Sequence, residues 1–169
     1  LGEWREEIGG SDRTYLRGAT AYRDHLALTT RVDGLDQLVL RTYEGDEKRL
    51  PFIEAAYSAY FGGNPDFAPK SYRIGYSSMV TPPTVYDYHS QEDRLEMRRV
   101  LEIPSGYDPQ LYLTERRMIL SRDGRTEIPV SILRRTDDLL DGTGKLFLYG
   151  YGAYGHAVPP SFSTNRFSL

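Results

Sequence analysis

The strongest constraint on the fold of this chain is a strand–turn–strand unit that occurs twice at a nearly constant interval. His25-Leu26-Ala27-Leu28-Thr29-Thr30-Arg31 and Gln37-Leu38-Val39-Leu40-Arg41-Thr42-Tyr43 flank Asp33-Gly34, and apolar runs on either side of an Asp-Gly turn read as a β-hairpin. Leu26 to Thr30 and Val39 to Tyr43 recur as Ile74 to Ser78 and Val85 to Tyr88, 48 and 46 positions further on. That interval is close to the repeat of a β-propeller, where one blade cannot bury its apolar face until a neighbour stacks on it. Further strands are expected at Ala56 to Tyr60 and Glu96 to Leu101, and the 14 tyrosines, spread over alternating stretches, favour strands over helices. A few blades leave sheet edges open, so residues 1 to about 103 are not expected to be stable without others.

Ile103-Pro104-Ser105-Gly106-Tyr107-Asp108-Pro109 interrupts this rhythm. Two prolines and a glycine there mark a crossing between domains, assigned to residues 104–112. Beyond it, Leu113 to Leu120 and Glu127 to Arg134 alternate around Arg122-Asp123-Gly124 and read as a second hairpin. Asp137-Asp138-Leu139-Leu140-Asp141-Gly142-Thr143-Gly144 gathers three carboxylates, but an EF-hand needs its ligand spacing and a final glutamate, so a solvated turn is expected. His25, His89 and His156 are isolated from one another in sequence and suggest no metal site. Trp4 lies in a polar stretch whose role the sequence does not reveal.

At 169 residues the chain holds one domain or parts of two. Its 39% hydrophobic and 27% charged residues are ordinary for a globular protein, and a net charge of −3 offers no basic surface for nucleic acid. The absence of cysteine excludes disulfides and thiolate metal sites and is neutral between cytoplasm and periplasm; a cytoplasmic location is the expectation. No apolar run approaches a membrane span, no signal peptide is recognisable, and Leu1 is not an initiator methionine, so the chain is expected to begin and end within a longer protein.

The stretch that points to chemistry is Lys145-Leu146-Phe147-Leu148-Tyr149-Gly150-Tyr151-Gly152-Ala153-Tyr154-Gly155. A short apolar run ended by a glycine turn reads as a buried strand feeding a functional loop. The glycines allow close backbone approach, and the tyrosines bring hydroxyl donors to the same place. Its spelling satisfies the dinucleotide fingerprint G-x-G-x-x-G, but that motif must open a helix whose N–H groups hold the pyrophosphate. Here Val158-Pro159-Pro160 follows, which removes amide donors and drives the chain out of helical geometry. A structural loop with packing aromatics is the plain alternative; the other is a strand-to-loop element of the kind that supplies half of an oxyanion hole in α/β-hydrolases.

On these residues the chain resembles the prolyl oligopeptidase family of serine peptidases. Lys145 to Tyr154, with Ser161-Phe162-Ser163-Thr164-Asn165-Arg166-Phe167-Ser168-Leu169 behind it, looks like the start of that family's peptidase domain. Tyr76-Ser77-Ser78-Met79-Val80-Thr81-Pro82-Pro83-Thr84-Val85-Tyr86 resembles its last propeller blade, and Arg122-Asp123-Gly124 with Ile128-Pro129-Val130-Ser131 resembles the first hairpin of its hydrolase domain. The match runs from about Tyr57 to Leu169, and the glycine loop is more similar to the oligopeptidase B (protease II) branch than to the prolyl branch, which has Phe where this chain has Tyr154.

The resemblance implies a mostly β chain: the last blades of a β-propeller over 1–103, the crossing, then the first strands of an α/β-hydrolase domain over 113–169. It implies a serine-type endopeptidase that cleaves short peptides after Lys or Arg, needs no cofactor or metal, and has the remainder of the same polypeptide as its partner. Tyr151 would donate its phenol hydroxyl to the oxyanion, and Tyr154 would line the substrate side-chain pocket. The family's nucleophilic serine, aspartate and histidine would lie beyond Leu169, so the chain alone is expected to be inactive. The nearest approach to G-x-S-x-G is Gly75-Tyr76-Ser77-Ser78-Met79. It leads into Thr81-Pro82-Pro83 instead of a helix, which makes Ser77 and Ser78 strand residues. A prolyl-specific or other acyl hydrolase of the same family, and a non-catalytic propeller module, stay open.

Overall fold

A computed structural model describes residue 3 and residues 6–168; Trp4 and Leu169 lie outside the described residues. Among the described residues ten strands build three antiparallel sheets. The first sheet is a meander of β1 (Thr14–Ala21), β2 (His25–Val32), β3 (Leu35–Thr42) and β4 (Glu47–Arg49). The second repeats it with β5 (Tyr57–Phe61), β6 (Tyr72–Ser78), β7 (Thr84–His89) and β8 (Arg94–Val100). The recurring hairpins therefore occupy the same two central positions of successive sheets, β2–β3 and β6–β7, and Ser77 and Ser78 lie in β6.

Asp33 and Gly34 both take positive φ, 49° and 77°, between the paired residues Val32 and Leu35. This two-residue turn matches the twist of the strands it joins. Tight closure starts β3 at Leu35, two residues before the apolar run suggests. Two strands carry little sequence signal. β4 is three charged residues, and β1 is interrupted by a bulge between Leu16 and Gly18 that takes Arg17 out of register.

The two sheets pack face to face around Tyr22, Ala27, Leu38, Leu40, Leu50, Tyr57, Ala59, Tyr72, Ile74, Tyr76 and Tyr88. Much of this core is aromatic, and each buried phenol must find a partner or lose a hydrogen bond. The Tyr72 hydroxyl meets His25 Nε2 at 2.5 Å across the sheets, with the Tyr22 ring stacked on His25 at 5.2 Å. The Tyr88 hydroxyl donates to Asp93 Oδ1 at 2.6 Å, and that of Tyr76 to Glu54 Oε1 at 3.0 Å. At the outer edge Lys48 Nζ donates to the Ser90 carbonyl, in the turn between β7 and β8, at 2.7 Å.

After a short 3₁₀ turn at Pro109–Leu111, β9 (Tyr112–Leu120) and β10 (Glu127–Arg135) form a separate two-stranded sheet. The run from Lys145 to Tyr149 departs from its expected state: it is not a buried strand. It pairs with no strand among the described residues, and Leu146, Phe147 and Leu148 are 86%, 64% and 80% exposed. Strand propensity is realised only against a ladder partner and a covered face, and neither is present beside these residues.

Candidate functional site

The glycine loop is reached through the contacts that seat β9–β10 on the first sheet. Arg116 of β9 donates through Nη2 to the Asp33 carbonyl at the tip of the β2–β3 turn. Burial pushes its guanidinium below the ordinary arginine range, with Asp33 acting in the opposite sense. Pro129 of β10 lies against the same turn so closely that a Cβ on Gly34 would stand 3.0 Å from its Cγ. On the second sheet, the Tyr107 hydroxyl donates to the Val80 carbonyl at 2.7 Å. Burial is the main reason that this phenol is pushed up to about 12, with Tyr112, Glu54 and Asp108 adding to it.

Tyr107 is also the centre of an aromatic nest that holds the end of the chain. Its ring stacks on Tyr112 at 5.9 Å and meets Phe162 and Phe167 at 5.2 and 4.9 Å, while Tyr112 meets Phe167 at 4.6 Å. The residues that follow the glycine loop are thus pinned to Tyr107 and Tyr112, and Arg166 Nη1 closes their turn by donating to the Ser161 carbonyl.

Between this anchor and β10 the loop itself is open. Tyr151 is 53% exposed and lines a cleft of about 560 Å³ with Tyr149, His156, Val158, Pro159, Ser161 and Arg166. Tyr154 has φ +55° and Gly155 φ +63°, so the chain doubles back, and the His156 amide donates to the Ala153 carbonyl at 3.1 Å. That return brings the His156 ring edge-to-face with Tyr151, 5.5 Å between centroids and 81° between planes. Sequence reading leaves His156 as an ordinary loop residue, because its partner is defined only by the left-handed turn between them. Tyr154 is 97% exposed, makes no ring contact among the described residues and does not line the Tyr151 cleft, so the two tyrosines are not brought together here.

Among the described residues no group of three or more His, Cys, Asp or Glu side chains is placed to hold a metal ion. No helix among them is long and apolar enough to cross a membrane. The geometry offers a hydroxyl donor on an exposed loop, a ring beside it, and an anchored surface behind it.

A family model described as prolyl oligopeptidase, N-terminal β-propeller domain, matches residues 2–100. The chain belongs to the prolyl oligopeptidase family. It is 30% identical over 167 residues to a dipeptidyl aminopeptidase BI of Pseudoxanthomonas mexicana, covering 99% of this chain and 23% of that protein. To a protease 2 of Moraxella lacunata it is 25% identical over 159 residues, covering 94% of this chain and 23% of the relative. The chain therefore spans about a quarter of the length of the curated relatives it matches. In fold it is similar to oligopeptidase B from Leishmania major, with a TM-score of 0.81 at 23% identity over 95% of this chain and 24% of the other. Oligopeptidase B from Trypanosoma brucei with covalently bound antipain gives 0.79 at 24% identity, over 92% and 23% of the two chains. The two meander sheets are accordingly blades of this family's propeller.

Proposed function

We propose that this chain carries the closing blades of the propeller and the opening strands of an α/β-hydrolase domain in a serine oligopeptidase, divided at residues 103 and 113. The enzyme hydrolyses peptide bonds in short peptides after Lys or Arg, and Tyr151 donates one of the two hydrogen bonds to the oxyanion. The observation that carries this reading is the similarity to family peptidases along almost the whole chain, past residue 100 where the propeller match ends and through the glycine loop. Preference for a basic residue rests on the similarity to oligopeptidase B and protease 2. The dipeptidyl aminopeptidase match favours a second reading, in which the same machinery removes dipeptides from a free amino terminus.

An oxyanion donor acts by making a bond that strengthens as negative charge develops on the carbonyl oxygen, so its contribution falls on the transition state more than on substrate binding. Tyr151 has the chemistry for this: a phenol hydroxyl on an exposed loop, with glycine on either side. In the full-length enzyme Tyr151→Phe is expected to lower kcat about 10- to 1000-fold, with KM changed much less. Tyr60→Phe, an exposed tyrosine of β5 that does not line the cleft, is the control and should stay within a few-fold. Equal, small effects of both on a slow amide substrate would rule out the oxyanion role. A pair of substrates separates the two specificities: a blocked peptide amide with a basic residue at the scissile bond, and a dipeptidyl amide with a free amino terminus. The 169-residue chain by itself is expected to turn over neither, since acyl transfer needs a nucleophile and base in contact, and turnover by the pure chain would overturn the proposal.

A further inference from the structure

We infer that His156 is a positioning residue for Tyr151, setting the direction in which the phenol hydroxyl points; this rests on the oxyanion reading of Tyr151. A phenol is useful to an oxyanion only if its ring is held, because a donor aimed away by even an ångström loses most of its effect. The backbone beneath Tyr151 gives little of that hold. Gly150 and Gly152 stand on either side, and a Cβ built on either would meet nothing within 4 Å. The run before them, Leu146 to Leu148, is exposed and pairs with no strand among the described residues.

What the Tyr151 ring does touch is His156, at 5.5 Å and 81°. His156 is itself held. Its amide donates to the Ala153 carbonyl at 3.1 Å, and the positive φ of Tyr154 and Gly155 fixes the return of the chain. On its other side Pro159 and Pro160 limit the backbone, and beyond them Phe162 and Phe167 are fastened to Tyr107. The imidazole is thus a wall carried by the anchored side of the loop, placed against the phenol on the free side. An edge-to-face contact constrains ring tilt through the quadrupoles of both rings, so an aromatic side chain at 156 supplies the wall and an aliphatic one does not.

The test is a kinetic cycle in the full-length enzyme on a slow amide substrate. His156→Ala is expected to lower kcat about tenfold with KM nearly unchanged, as for a misplaced donor. His156→Phe, which keeps the edge-to-face contact, should recover most of the loss. In a Tyr151→Phe background, where no hydroxyl remains to be aimed, His156→Ala should cost nothing further. Full loss in Tyr151→Phe with none in His156→Ala overturns the role of His156 and leaves that of Tyr151 intact. Additive losses place His156 elsewhere in the reaction and also overturn it. No loss in Tyr151→Phe removes the oxyanion reading itself, and the positioning role with it.

Discussion

A carboxylate taken out of water costs several kcal/mol unless its charge is met, and at Asp36 it is met from three strands. The residue is 4% exposed; Arg17 and Arg31 reach Oδ1 at 3.1 and 3.0 Å, and Ser58 of the next blade donates to Oδ2 at 3.2 Å. The bulge beside Arg17 in β1 accompanies this convergence. Asp36→Ala leaves Arg31 half-buried without its anion and cuts an inter-blade tie, so it is expected to cost about 2–4 kcal/mol, read from urea denaturation of the full-length protein. A cost under about 0.5 kcal/mol would reduce Asp36 to an ordinary surface pair. His25 makes the junction sensitive to pH. Burial lowers its pKa below 6.5, against a smaller opposing pull from Asp24, while Tyr22 and Tyr72 face the ring. The unfolded chain then binds the proton more readily, so this stability is complete above about pH 6.5 and is lost as pH falls through that value toward the folded pKa. The difference in denaturation midpoint between wild type and His25→Gln, followed from about pH 8 to 5, should shrink as the imidazole charges. A difference independent of pH would show that His25 does not titrate against the fold.

At the level of elements, the contact between the β9–β10 hairpin and the first blade depends on the turn at Asp33-Gly34. Gly34→Ala meets two penalties: an alanine in left-handed backbone costs about 1–2 kcal/mol, and its Cβ would press on Pro129 at 3.0 Å. Gly124 in the β9–β10 turn has φ +70° with no atom near its Cβ position, so Gly124→Ala meets the first penalty alone. Gly34→Ala is expected to be the more destabilising of the two, and to speed limited proteolysis of the hairpin where Gly124→Ala does not. Equal effects would mean that the hairpin does not lean on the blade. The same turn shows why so much of the fold was legible. Asp-Gly between apolar runs requires a tight hairpin, and the ends of β2, β6, β7, β9 and β10 fall within a residue or two of where alternation places them. β1 and β4 escaped because a bulge breaks the alternation in one and the other has no apolar residue. Lys145 to Tyr149 misled for the opposite reason, since an apolar run states a preference for burial and cannot supply the neighbour that provides it. In the glycine loop the motif drew attention to Tyr151, whereas the contact of its ring with His156 required the backbone path.

For the whole molecule, the balance of covered and uncovered apolar surface governs behaviour in solution. Leu146, Phe147 and Leu148 are exposed together, and Ile119, Leu120 and Ile128 add apolar side chains on the hairpin. Surface of that kind associates unless something covers it. The 169-residue chain is therefore expected to self-associate, seen as a mass above 19.3 kDa in light scattering, and Leu146→Lys with Leu148→Lys should reduce it. A monodisperse monomer with sharp cooperative unfolding would count against this. The order in which these surfaces arise is set by the meander. Within each four-stranded blade every strand is hydrogen-bonded only to its neighbours in sequence, and distant pairing is the slow step in β folding. On a ribosome, which releases the chain from its amino end, the first blade has all its strands once Arg49 has emerged and the second once Val100 has. The segment bearing Tyr151 is synthesised last of these parts and meets a surface already assembled, so errors in its placement are errors of docking and leave the blades behind it intact.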